Sequence, residues 1–103
     1  MEYSEATAAE LEQIMREIPG AKASKMFGMP AYKVNGKLAV GIFEDGIVAK
    51  IGATRSAEVV GKNGVEYFEP NGRRWKDWIR INSGFAQHRA LLEEAVRYVA
   101  ENG

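Results

Sequence analysis

Apolar and polar positions alternate most regularly between residues 25 and 51, KMFGMPAYKVNGKLAVGIFEDGIVAKI. Leu38, Val40 and Ile42 fall on one side of an extended chain, and Ile47, Ala49 and Ile51 on one side of the next, which commits one face of a sheet to a core. Asn35-Gly36 and Asp45-Gly46 separate these runs, and such dipeptides tolerate the positive φ angles of tight type I′ hairpins. The stretch predicts a β-meander over 31–34, 37–43 and 47–51, with the rest of the chain packed around it.

The flanking segments follow a helical period. Thr7-Ala8-Ala9-Glu10 has the form of a capping box, so a first helix starts at Ser4 or Thr7. Leu11, Ile14, Met15 and Ile18 give it one apolar stripe, and Pro19-Gly20 ends it. A short extended piece over 24–27 is broken by Gly28 and by Pro30, whose missing N–H suits an edge or a bend. Thr54 is placed to cap a brief helix through residue 60, anchored by Val59 and Val60 and stopped by Gly61 and Asn63-Gly64. Residues 65–69 read as a short strand, Pro70-Asn71-Gly72 as a turn and 73–81 as the last strand. After Asn82-Ser83-Gly84, Leu91, Leu92, Ala95, Val96 and Val99 share one helical face, with Glu93, Glu94, Arg97 and Glu101 away from it.

The predicted order is one helix, three strands, a helix, two strands and a helix, with a further short strand before Gly28 as an option. Tight hairpins and the lack of βαβ spacing predict an α+β fold: a mainly antiparallel sheet of about five strands with the helices on one face. Nothing resembles a linker or a repeat, so residues 1–103 form one domain.

Composition narrows the class. A chain of 103 residues buries roughly 65% of its unfolded surface, enough for one core. Its 14 Lys and Arg cancel 14 Asp and Glu, so any basic site is local rather than a global field. Without cysteine there is no disulfide, thiol nucleophile or cysteine metal site. The N-terminal residues have no basic segment followed by an apolar one, and no apolar run approaches the ~20 residues of a membrane span. A soluble, cytoplasmic protein that does not engage a membrane is expected.

Little here has the form of a reaction centre. His88 is the only histidine, so neither a triad nor a histidine metal site has its partners. Glu44-Asp45 is explained by a turn and Glu93-Glu94 by a solvated helix face. The 11 glycines fall in no phosphate-cradling frame. No catalytic residue, metal or cofactor is expected.

The last strand carries more. Alternation puts Trp75, Ile79 and Ile81 on one face, with Asp77 the odd member, and Arg74, Lys76, Trp78 and Arg80 on the other. Three cations around an indole, with Arg73 just before them, suit an acidic partner segment or a phosphate backbone with a stacked base. They equally suit a solvated face whose indole is covered by the segment near Phe27 or by a helix. Arg73 has a surface role available too, pairing with Glu66 or Glu69. Met26, Phe27, Met29 and Tyr32 are candidates for a small apolar groove, although methionines more often fill cores.

Lys25-Met26-Phe27-Gly28, Val34-Asn35-Gly36-Lys37, Gly72-Arg73 with Trp78, and a final helix with Glu94-Ala95 and Tyr98-Val99 occur in this order along nearly the whole chain. Together they resemble the TfoX N-terminal domain family, with Met29 where that pattern has a second glycine and Arg74 where it has proline. The resemblance implies a small α+β domain grouped with secretion-chaperone-like folds and a link to regulators of natural competence. It brings no established catalytic residues. The expectation is a non-enzymatic regulatory domain that works through a protein partner or as a dimer. The alternatives are weak nucleic-acid binding through Arg74, Lys76, Trp78 and Arg80, and a small-ligand binder or enzyme built on Arg73, Tyr32 or glutamates.

Overall fold

Ser4 starts the first helix, α1 (Glu5–Arg16), its hydroxyl accepting a hydrogen bond from the Thr7 backbone N–H at 3.1 Å. In the computed structural model, which describes residues 2–102, Thr7 therefore lies inside the helix rather than at its cap. Its buried hydroxyl donates to the Asp45 carbonyl, 3.1 Å away, and the Ser4 N–H donates to the Glu44 carbonyl. The helix start is thus fastened to a strand turn. Leu11, Met15 and Ile18 are buried along the stripe, and Ile14 is half-buried.

Four consecutive strands follow: β1 (Lys22–Met26), β2 (Met29–Val34), β3 (Lys37–Phe43) and β4 (Gly46–Lys50). Then come α2 (Ala53–Val59), β5 (Val65–Phe68), β6 (Trp75–Ile81) and α3 (Arg89–Asn102). All pairings are antiparallel, and the strand order is β1-β2-β3-β4-β6-β5. The sheet has six strands rather than about five. The extra one is β1, the short extended piece before Gly28.

Pro30 sits in an inner strand. Met26 pairs with Met29 across the two-residue loop Phe27-Gly28, and such a closing pair exchanges both backbone bonds, so the next pair, Lys25 with Pro30, exchanges none. Pairing of β2 with β3 begins only at Ala31. The missing N–H of Pro30 therefore removes no ladder bond.

Two further positions differ from the sequence pattern. The β3–β4 turn is Glu44-Asp45, with Phe43 pairing Gly46 and Glu44 at a φ of 57°. Gly46 is not a turn residue but the first residue of β4, where a Cβ would lie 2.8 Å from Arg80 Nε. Likewise α2 is capped by Gly52, at a φ of 90° and packed on Tyr98, and not by Thr54, which lies within the helix.

All three helices cover one face. α3 packs on β3 and β4, and α2 on β6 and β5, over Val40, Ile42, Ile47, Ala49, Ile79 and Ile81, which pair directly across β3, β4 and β6. Arg55 of α2 reaches Glu94 of α3, and Arg89 of α3 reaches Glu17 after α1. The opposite face makes a second small core from Phe27, Phe43, Phe68, Trp75 and Trp78, with ring centroids 4.9 to 6.2 Å apart. To allow this the sheet curls: Phe27, in the turn of the outermost hairpin, meets Trp75 of β6 at 5.9 Å. Edge and tilted ring pairs of this kind add about 0.5 to 1.5 kcal/mol each beyond their buried area. The central strands are consequently buried on both faces, where alternation pointed to one.

Candidate interaction surface

The last strand does not present its indole among cations. Trp75 and Trp78, expected on opposite faces, meet on the aromatic side with centroids 5.8 Å apart. Alternation fails because β5 and β6 slip in register: Tyr67 pairs with Ile79 and Phe68, one residue on, with Trp75. Trp78 is only 7% exposed, held against Phe68 and Trp75, so it offers no free face for a stacked base. Its cover comes from the aromatic cluster to which Phe27 belongs, rather than from a helix.

The cations separate into two kinds. The Arg80 side chain, 17% exposed, donates from Nη1 to Glu44 at 3.1 Å, from Nη2 to Asp45 at 2.8 Å and from Nε to Asn82 at 2.8 Å. It lies across Gly46 beside the Phe43 ring and is fully engaged within the fold. Arg74 donates to Glu69 at 2.8 Å and stacks over Tyr67 at 4.3 Å. Arg73 and Lys76 are exposed and form no ion pair among the described residues. Lys50, paired opposite Trp78 on β4, joins Arg74, Trp75, Lys76, Asp77 and Trp78 around a shallow open depression of about 440 Å3.

Of the four residues considered for an apolar groove, Met26, Phe27 and Met29 share the β1–β2 hairpin, and Tyr32 lies farther along β2. Met26 and Met29 are buried, while Phe27 is 45% exposed at its turn. Tyr32 pairs with Val40 on the helix-covered face. There, burial holds its phenol above the ordinary tyrosine pKa, the Glu12 charge adds to the shift, and Arg16 opposes it. Arg73 is exposed in the turn before β6 rather than at the start of that strand.

A depression of about 450 Å3 lies between α2 and α3, lined in part by Arg55, Glu58, Asn63 and His88. Arg55 Nε reaches both Glu94 oxygens, at 2.9 and 3.0 Å, and Nη1 reaches Glu58 at 3.3 Å. The Glu94 carboxylate, first by hydrogen bonding and then by charge, raises the Arg55 pKa further. His88 Nε2 lies 2.9 Å from the Asn63 carbonyl, and no group of metal-ligating side chains forms among the described residues. The Arg55–Glu94 pair joins residues 39 apart in sequence and had no local signal. The pair cross-links α2 and α3.

The sheet ends in two strands, β1 and the shorter β5. β1 ends the strand order on one side, with Lys22, Ala23 and Lys25 exposed and Ser24 half-exposed. Since Met26, Ser24 and Lys22 bond inward to β2, the backbone N–H and C=O of Ala23 and Lys25 point outward, unpaired. Composition cannot reveal this edge, because it depends on strand order.

No helix among the described residues is long and apolar enough to cross a membrane. Compared with models of known protein families, with curated proteins and with solved structures, the chain matches none.

Proposed function

We propose that this chain is a non-enzymatic interaction domain of the TfoX N-terminal type, which regulates by holding a protein partner or a second copy at its β1 edge. The observation that carries the reading is the outward row of backbone groups at Ala23 and Lys25 on an uncovered terminal strand. Such a row is a template for one more strand, with main-chain bonds supplying affinity. The rest of the fold holds that edge still: β1 is closed onto β2 by a two-residue loop, and Phe27 at its end rests on Phe43 and Trp75. Arg55, Arg80 and Arg89 are engaged in cross-links between elements.

The test is site-specific photo-crosslinking in the host cell. A benzophenone side chain at Ala23 should give discrete protein adducts, and the same group at exposed Glu101 on α3 should give none. Equal labelling from both positions, or none from Ala23, removes the reading.

A further inference from the structure

Every ion pair among the described residues is made by an arginine: Arg16, Arg55, Arg74, Arg80 and Arg89 take all of them. Among the same described residues the lysines form no ion pair with a carboxylate, and they are unevenly placed. Between Ile18 and Phe43 the sequence contains Lys22, Lys25, Lys33 and Lys37 and no aspartate or glutamate. Folding gathers these four onto the β1–β2–β3 end of the sheet. Lys22 stands directly opposite Lys33, and Lys37 pairs with Val34 on the adjoining strand. Like charges directly opposed across strands destabilise a sheet, so the fold gains nothing from this arrangement. In a chain with zero formal net charge, the open edge is a local positive field.

We infer that the segment taken up by β1 is an acidic, extended stretch of another protein, and not a second copy of this chain. The inference rests on the proposed function and names the class of partner. Two β1 edges laid together would confront Lys22 and Lys25 of one copy with the same two of the other, Lys33 of each standing one strand behind, with no carboxylate within either β1 to separate them. An extended segment with acidic side chains at alternate positions meets the reverse situation. Its backbone completes the bonds of Ala23 and Lys25, and its carboxylates lie on the face of the sheet that Lys22 and Lys33 share. The lysines thus act against self-pairing and for a heterologous acidic strand, two uses of the same charges.

The probe is a seven-residue synthetic peptide of alternating glutamate and valine, titrated into the 15N-labelled full chain. Its lysine–valine counterpart and a single-stranded oligothymidylate serve as comparisons. Expected are saturable shifts and slowed hydrogen exchange at the Ala23 and Lys25 amides, with the glutamate peptide alone. The dissociation constant should rise roughly tenfold between ~20 and ~200 mM salt as the screening length shrinks. Ala23→Pro, which removes one outward N–H, should weaken binding at least about tenfold. The double variant Lys22→Glu/Lys25→Glu, which keeps the backbone donors, should exchange the preference of the two peptides.

Equal binding of the lysine peptide at this edge overturns the acidic partner while leaving edge docking intact. Binding of the oligonucleotide there as tightly as the peptide overturns strand addition. Dimerisation in sedimentation that protects the same amides makes the occupant a second copy and overturns the inference. If neither peptide reaches β1 the inference also fails, and adduct formation at Ala23 in the cell then shows separately whether the broader reading survives.

Discussion

Replacing Gly46 with alanine tests how the second core is locked. The added Cβ would sit 2.8 Å from Arg80 Nε, 3.2 Å from the Ile81 carbonyl and 3.3 Å from Arg80 Cγ. The first contact is roughly 0.7 Å inside the ~3.5 Å at which heavy atoms pack best. Gly46 does not have a positive φ, so the substitution brings crowding without backbone strain. The Arg80 side chain must swing away, breaking its bonds to Glu44, Asp45 and Asn82. Overpacking of this kind costs about 1 to 3 kcal/mol. The two ion pairs have well-exposed carboxylates and together add up to about 1 kcal/mol, while the stiffer unfolded chain returns about 0.5 kcal/mol. The expected net loss is about 2 kcal/mol, or a melting temperature lower by roughly 10 °C in a chain of this size. Urea denaturation followed by tryptophan fluorescence of the parent, Gly46→Ala, Arg80→Ala and the double variant gives the pairwise term. With Arg80 truncated, Gly46→Ala should cost less than about 0.5 kcal/mol. An equal cost in both backgrounds would place the constraint at the Ile81 carbonyl and refute the account.

Two further substitutions probe a buried hydroxyl and a half-buried phenol. Ser56 is fully buried with no partner for its hydroxyl, so Ser56→Ala should stabilise the protein by about 1 kcal/mol, seen as a higher melting temperature; a lower one would mean that the hydroxyl is satisfied. Tyr32 has its folded pKa raised, so between the unfolded and folded values the folded state holds the proton that the unfolded state has released. Its contribution is complete below about pH 10 and is lost as pH rises through the folded pKa. Tyr32→Phe should therefore lose less stability between pH 9 and 11 than the parent does in matched urea titrations, and identical losses would show that burial does not hold the phenol protonated.

The meander was legible because its signals are local. Asn35-Gly36 supplies both positive φ angles of its turn, at 51° and 80°, and the alternation in β3 and β4 names the helix-covered core correctly. Helix α3 was equally plain, with all five residues of its stripe buried. What escaped were features set by distant contacts. β1 was only an option because Phe27-Gly28 makes its turn with a residue that seldom takes a positive φ. Gly46 resembles half of a turn dipeptide until Arg80 is seen lying over it. Strict period-two alternation places the two tryptophans on opposite faces, and the slip between Tyr67 and Phe68 defeats it. For the candidate surface, the lysine-rich, acid-free interval was written in the sequence, but that it forms one end of a sheet depends on strand order, and β6 inserting between β4 and β5 leaves no local trace.

The Phe27–Trp75 contact gives the molecule an optical reporter. Three strands separate β1 from β6 in the sheet, yet a ring beside the end of β1 touches an indole on β6. Indole emission follows the packing and polarity of its surroundings, so a displacement at the far edge is converted into a change of light at the strand where both tryptophans lie. The protein therefore carries an unlabelled gauge of its own outermost hairpin, with Phe27 as the pointer and Trp75 as the dial.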